Sequence, residues 1–308
     1  MNPQNHRWGI DLGGTKAEGV VLGPGGPADI LFRDRLPTGA ENGYQHILKQ
    51  LENLVSLMEK RMGYRPAHIG IGTPGTLDPK TRTMKGCNSE CMNFMPLKDD
   101  LQRLLNLEVA IANDANCFAL AETRLGVVAQ RFPQAKVVFG VIIGTGVGGG
   151  LVVDGRALAG LQGIAGEWGH NFLDDSGGPC YCGKAGCVEK VLAGPALERY
   201  YQSVSGQERR LPEIHARHRQ GEAAAVQTIH RLTYFFGKAI STIINIIDPD
   251  VIVIGGGVGN VDEIYSAGTE QARRHAFNNG VLDTPIIRPL LGDSAGVFGA
   301  AFLTDSAH

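Results

Sequence analysis

The sequence predicts an α/β protein with mixed sheets, built as two domains and carrying a small metal knuckle. Three observations predict it. Short strand patterns alternate with long helical ones along the chain, a strand, glycine-rich turn and strand unit occurs at 8 to 22 and again at 138 to 153, and His170, Cys180, Cys182 and Cys187 follow the spacing H-x9-C-x-C-x4-C. The repeated unit suggests a duplicated fold.

Residues 7 to 12, 17 to 22 and 30 to 36 read as three short strands around tight turns, an antiparallel opening. From Glu41 to Met62 the apolar positions Tyr44, Ile47, Leu48, Leu51, Leu54, Val55, Met58 and Met62 recur at helical spacing, so this segment is an amphipathic helix whose stripe is core. A strand at His68 to Ile71 enters the loop GIGTPG, a polar stretch leads through CNSECMN (87 to 93), and a helix follows near Leu97 to Leu105. The strand Glu108 to Ile111 delivers ANDANCFAL (112 to 120), where a polar cluster opens the next helix. In the second half a strand at Lys136 to Ile143, a turn at 144 to 150 and a strand at Leu151 to Val153 repeat the opening. Helices are expected at about 194 to 204 and at 221 to 247, the second with Ile229, Leu232, Phe236, Ile240, Ile243, Ile244 and Ile247 in one stripe. A strand at Val251 to Ile254 ends in GGGV, a helix is expected over 262 to 278, and a strand (284 to 288) and helix (295 to 303) close the chain.

With 308 residues, 43% of them hydrophobic, the chain is long enough for two real cores. A net charge of −2 offers no attraction to nucleic acid or to an anionic membrane. Glycine, at 43 residues, is about twice its usual ~7% share and is clustered, which signals tight turns or close approach of backbone to a ligand. Six cysteines, three of them in the knuckle, fit a reducing compartment better than a disulfide framework. No apolar signal segment and no run of about eighteen apolar residues is present, so a cytoplasmic location is expected.

Thiolates and an imidazole suit tetrahedral zinc, and four protein ligands leave no open position for an activated water. The expected metal is therefore structural, with Gly177, Gly178, Gly183 and Gly186 shaping an irregular knuckle that holds Glu167 and Glu189 on either side. Cys87, Cys91 and Cys117 are expected as buried or loop thiols, and His215, His218 and His230 as solvated helix residues. GTGVGG satisfies G-x-G-x-x-G, but LVV and a further turn follow it where a dinucleotide fold needs a helix, and no G-x4-G-K-[ST] occurs. What remains is two glycine hairpins, DLGGTK (11 to 16) and GTGVGGG (144 to 150), whose backbone N–H groups can embrace phosphates from two sides.

The segments GIDLGGTK, GIGTPG, ANDANCFAL, IIGTGVGGGLVVDGRALAG, GIAGEWGH, CYCGKAGCVE, DPDVIVIGGGV and GDSAGVFGAA, in this order from about residue 8 to 303, resemble the ROK family of sugar kinases and sugar-responsive repressors in the actin-like ATPase superfamily. The resemblance implies a two-domain actin-like (ribonuclease H-like) ATPase fold. Residues 1–115 with 291–308 would form the smaller domain, and 116–290 the larger one with the zinc knuckle and the later helices. Within the family the chain is similar first to bacterial fructokinases of the manno(fructo)kinase type and next to N-acetylglucosamine kinases. The implied reaction is ATP-dependent phosphorylation of a hexose hydroxyl, fructose to fructose 6-phosphate before mannose or glucose, with N-acetylglucosamine as the alternative acceptor. A non-catalytic repressor would carry a preceding helix-turn-helix, for which the few residues before the first strand leave no room.

A sugar hydroxyl needs a carboxylate to take its proton, and Asp114 matches the family's general base. Its competing reading is a helix N-cap, a position that favours Asn and Asp. The resemblance places Asn88, Asn113, Asp114, Glu167, His170, Glu189 and Gly75 around the sugar, with His170 serving zinc by one ring nitrogen and the sugar by the other. It places Asp11, through water, at the catalytic Mg2+, and Gly13, Gly14, Thr15 and Lys16 at the terminal phosphates of ATP. Gly144, Thr145 and Gly146 would meet the phosphates from the other side, and Gly255, Gly256 and Gly257 the adenosine. Family members are commonly dimers, and the 221 to 247 helix is either a homodimer face or core.

Overall fold

The computed structural model describes residues 5–306. The chain forms two compact units, Met1–Pro133 with Gly150–Ala165 and Leu290–His308, and Gln134–Gly149 with Gly166–Pro289.

The first unit opens with β1 (Arg7–Leu12), β2 (Lys16–Leu22) and β3 (Ile30–Pro37), an antiparallel meander. Helix α1 (Tyr44–Met62) follows and buries the predicted stripe from Tyr44 to Met58. It ends where Gly63, at φ 75°, closes the last turn by donating to the Glu59 carbonyl, with Lys60 and Arg61 near the negative end of the helix dipole. The strand β4 (His68–Thr73), the small hairpin β5 (Thr76–Leu77) and β6 (Met84–Lys85), α2 (Leu97–Leu105), β7 (Glu108–Asn113), α3 (Asp114–Arg124) and α4 (Val127–Arg131) complete its first segment. The sheet order is β3-β2-β1-β4-β7, with β1, β4 and β7 parallel.

The next strands are β8 (Val137–Ile143), β9 (Val147–Val153) and β10 (Arg156–Ala157). The turn is shorter than expected, because Val147 to Gly150 are strand rather than loop. The glycines are needed there for packing. A side chain at Gly149 would strike the Gly166 carbonyl and Trp168, and one at Gly150 the Ala115 carbonyl. Helices α5 (Val188–Leu192), α6 (Gly194–Ser205), α7 (Leu211–Arg219) and α8 (Ala223–Ile247), then β11 (Val251–Gly255), α9 (Ala267–His275) and β12 (Ile286–Ile287), build the second unit, and α10 (Ala295–Ala301) returns to the first. The second sheet runs β10-β9-β8-β11-β12, the same third-second-first-fourth-fifth order as the first sheet.

The stripe of α8 is core: Ile229, Leu232, Phe236 and Ile240 are 0% exposed. The expected 262 to 278 helix is broken into a 3-10 turn (Asp262–Ile264) and α9, with the chain leaving helical geometry at Ser266. Helix α7 escapes the periodicity argument because it is short and polar, and it starts on Leu211-Pro212 with Glu213 accepting from the Arg210 N–H. That helix corrects the expectation of solvated histidines. His215 and His218 share one face three residues apart, and their Nε2 atoms lie 2.7 and 3.1 Å from the two carboxylate oxygens of Glu263. His230 is exposed, and Cys87 and Cys117 are buried, as expected.

Candidate active site

In the first unit the parallel strands β1, β4 and β7 end side by side. Asp11 pairs in register with Gly72, and Thr73 with Asn113, so Asp11 and Asp114 stand at the carboxyl ends of β1 and β7 on either side of β4, where open α/β sheets bind ligands. Glycines make the seat. Gly9 and Gly70 are register partners, and a side chain at either would collide with Ala301 or Ala300, so α10 lies directly on the sheet. A side chain at Gly299 would likewise strike the Cys117 carbonyl, which sets α10 against α3. Gly296 of α10 is consequently next to Asp11: a side chain there would come within 2.9 Å of Oδ2.

The Asp11 carboxyl is pushed up to about 6, first by burial, then by Asp114 and Glu18, against the opposing pull of Lys16. Burial also raises Asp114, while backbone N–H groups at the start of α3 pull it back. Asp114 is exposed, and so accessible to a ligand, while the protein packed around its carboxyl disfavours the charge. The helix cap falls one residue earlier than the competing reading of Asp114 had it. Asn113 is the N-cap of α3, its Oδ1 accepting from the Asn116 N–H at 2.8 Å, whereas Asp114 is the first helical residue and its carboxylate accepts from the adjacent Ala115 N–H. Asn113 therefore positions Asp114.

Several groups around these acids were not singled out from the sequence. Glu18, opposite Asp11 on β2, is 4% exposed and neutralised by Arg33 at 2.5 Å and Arg35 at 2.8 Å. The signal was present as a lone acid in an apolar strand facing alternate arginines on the next. Thr38 braces the 13 to 16 turn, donating its hydroxyl to the Gly13 carbonyl and its N–H to that of Thr15. Glu122, fully buried on α3, accepts from the N–H groups of Val127, Leu290 and Leu291 and so anchors the approach to α10. No local pattern announces that bond.

The 85 to 95 loop is pinned by Asn93, which accepts from the Cys87 N–H (2.9 Å) and donates to the Cys87 carbonyl (3.1 Å). Asn88 is exposed on this loop. Gly75 is buried beneath it, where a side chain would meet Cys87 Sγ and the Lys85 carbonyl, so its evident part is to let the loop pack.

In the second unit β8 and β11 are parallel, Gly255 pairing with Ile142, so the 144 to 146 and 255 to 257 turns leave the same edge of the sheet. Gly256 adopts φ 82°, and a side chain there would collide with the Ile143 carbonyl. Gly144 donates to the Gly146 carbonyl and accepts from the Gly194 N–H, with Thr145 exposed at the tip. Glu189, expected at the sugar, accepts the Val147 N–H with Oε2 at 3.1 Å and so supports this turn. Glu167 precedes the 3-10 turn Trp168–His170 and is half-buried.

The ligand atoms of His170, Cys180, Cys182 and Cys187 all lie within 4.8 Å of one another. Cys180 Sγ is 3.7 Å from His170 Nδ1 and Cys182 Sγ is 3.6 Å from Cys187 Sγ. Tetrahedral zinc, with Zn–S of ~2.3 Å and Zn–N of ~2.0 Å, needs edges of about 3.5–3.8 Å, which these two pairs meet, and the donor types suit the ion. His170 presents Nδ1 to the thiols. Its Nε2 lies 3.0 Å from the Tyr181 hydroxyl, a partner the sequence reading did not include.

Two sheets of one strand order, with acids at the strand ends of the first and glycine turns at those of the second, define an actin-like ATPase fold of the kind that sugar kinases use. The chain belongs to the ROK family, whose model matches residues 7–307. It is similar to the N-acetyl-D-glucosamine kinase of Escherichia coli O6:H1 (strain CFT073), 35% identical over 307 residues that cover 96% of this chain and 98% of that one. Among solved structures it resembles the ROK hexokinase from Thermus thermophilus, with a TM-score of 0.85, 32% identity and 97% of each chain covered. It also resembles a ROK family glucokinase from Streptomyces griseus in complex with glucose and AMPPNP, with a TM-score of 0.77, 26% identity and coverage of 97% and 98%. No helix among the described residues is long and apolar enough to cross a membrane.

Proposed function

We propose that this chain is an ATP-dependent hexose kinase whose preferred acceptor is N-acetyl-D-glucosamine. The observation that carries the kinase reading is Asp114: an exposed carboxyl at the start of α3, raised by the protein around it, held by the Asn113 cap and close enough to Asp11 for its charge to raise that carboxyl. In the proposed step a sugar hydroxyl oxygen forms a bond to the γ-phosphorus, the bond from phosphorus to the bridging oxygen breaks, and ADP leaves. The hydroxyl proton passes to Asp114. Asn88, Asn113, Glu167, His170, Glu189 and Gly75 are proposed to orient or shape the sugar site, and Gly13 to Lys16, Gly144 to Gly146 and Gly255 to Gly257 the nucleotide site.

Asp11 has the chemistry of a magnesium partner, since a buried carboxylate beside Asp114 and Glu18 carries negative charge that a divalent cation relieves. A magnesium ion held by Asp11 would supply positive charge to offset that of the nucleotide phosphates. Zinc in the His170, Cys180, Cys182 and Cys187 set is proposed as structural, bracing the segment between Glu167 and Glu189. The choice of N-acetyl-D-glucosamine over the fructose expected from the sequence is supported by the near-full-length similarity to N-acetyl-D-glucosamine kinases. Fructose remains the second reading, favoured by the NSECMN stretch.

The test is a coupled ADP-release assay with MgATP against N-acetylglucosamine, N-acetylmannosamine, fructose, mannose and glucose. N-acetylglucosamine should lead by kcat/KM. A lead by fructose keeps the kinase and overturns the substrate, and silence with every sugar overturns both.

A further inference from the structure

Ser89 is a polar side chain for which the proposed reaction has given no role. It precedes the 3-10 turn Glu90–Met92, where a serine ordinarily turns its oxygen onto the first N–H groups of the helix. Here the hydroxyl does not cap the turn and makes no hydrogen bond among the described residues. It is directed at the other loop of the unit. Chain neighbours aside, Ser89 Oγ is the single non-hydrogen atom among the described residues within 4 Å of the position a side chain at Gly14 would occupy, and it lies 3.7 Å from it.

Gly14 has no conformational need to be glycine, since its φ is outside the left-handed region and a side chain would meet only ordinary contact. The gap between Gly14 and Ser89 is thus small, polar on one side and bounded on the other by the 13 to 16 turn. Both walls are held. Thr38 bonds the turn at Gly13 and Thr15, and Asn93 locks the Ser89 loop through both backbone groups of Cys87. A hydroxyl on a pinned loop beside the proposed phosphate-binding turn, one residue from Asn88, is placed to meet a terminal phosphate bound at that turn.

We infer that the Ser89 hydroxyl donates a hydrogen bond to a non-bridging oxygen of the phosphoryl group as it passes from nucleotide to sugar, which makes Ser89 a further catalytic residue. The inference rests on the kinase reading above. Ser89 keeps its proton throughout: the sugar oxygen to phosphorus bond forms, the phosphorus to ADP oxygen bond breaks, and the acceptor proton still goes to Asp114.

The experiment compares the full chain with Ser89→Ala, Ser89→Thr and Gly14→Ala on its best sugar. Loss of one hydrogen bond to a charged group should lower kcat of Ser89→Ala by about tenfold or more, with the sugar KM within about twofold of the parent. Ser89→Thr should recover most of that loss. Gly14→Ala, which keeps the hydroxyl and fills the gap with a methyl, should lose as much as Ser89→Ala. By calorimetry, Ser89→Ala should bind the magnesium complex of a non-hydrolysable ATP analogue several-fold more weakly and MgADP as the parent does. An unchanged kcat, or a loss confined to the sugar KM, overturns the inference while an active parent leaves the kinase reading standing. A parent that turns over no sugar overturns both.

Discussion

The two sheets share one strand order and differ in what stands at their strand ends. The first ends in carboxylates, Asp11 and Asp114, each held above the ordinary range by burial. The second ends in bare glycine turns, tied by Gly194 and Glu189, with a thiol and imidazole cluster beyond them. The same architecture therefore carries strained charge in one unit and neutral backbone donors in the other. The acids are costly to the fold and useful to chemistry, while the turns and the knuckle are satisfied within their own unit. A scaffold of parallel strand ends does not choose its chemistry; the residues placed there do.

That contrast can be broken most strongly at Asp114. Asp114→Asn should lower kcat/KM by about 10²-fold or more, because the acceptor proton loses its destination, with the melting temperature kept or raised. In the parent, kcat/KM should rise with pH through a carboxylate midpoint above the ordinary range, since the base acts deprotonated. Turnover of the variant within about tenfold of the parent would show that Asp114 is not the base.

The knuckle gives the next effect. Protein purified without added metal should contain about one zinc per chain by elemental analysis, and Cys187→Ser should lose it and melt earlier. Retention of full zinc by the variant would remove Cys187 from the ligand set.

The smallest effect sharpens the comparison on the acid side. Asp11 binds its proton more tightly folded than unfolded, so between about 4 and about 6 folding takes up protons, and stability falls as pH rises through that window. Without divalent cations, Asp11→Asn should then be more stable than the parent at pH 7, by about 1–3 kcal/mol after allowing for partial exposure, and the difference should vanish near pH 3. Equal denaturation midpoints at pH 7 would show that Asp11 carries no such penalty.

Much of this was legible in the chain. The stripes of α1 and α8, the strands around DLGGTK and GTGVGGG, and the ligand spacing of the knuckle are local patterns, and the physics that sets them, periodic burial and short-range geometry, acts over a few residues. What stayed hidden depends on residues far apart. Asn113 rather than Asp114 takes the cap only because β7 delivers the chain to α3 in that phase. The polar helix α7 is stabilised by His215 and His218 meeting Glu263, some fifty positions away, so no periodicity reveals it. Glu122 holds Leu290 and Leu291, and Ser89 faces Gly14, through approaches that only the packed sheets and α10 create. The sequence by itself determined most of the element types, the strand-end glycines and acids, and the spacing of the His and Cys cluster, because hydrophobic spacing and side-chain chemistry are written residue by residue. The tertiary structure decided which polar groups pair, which acid stays open and how strongly burial holds its proton, because desolvation and hydrogen bonding depend on neighbours that only folding brings close.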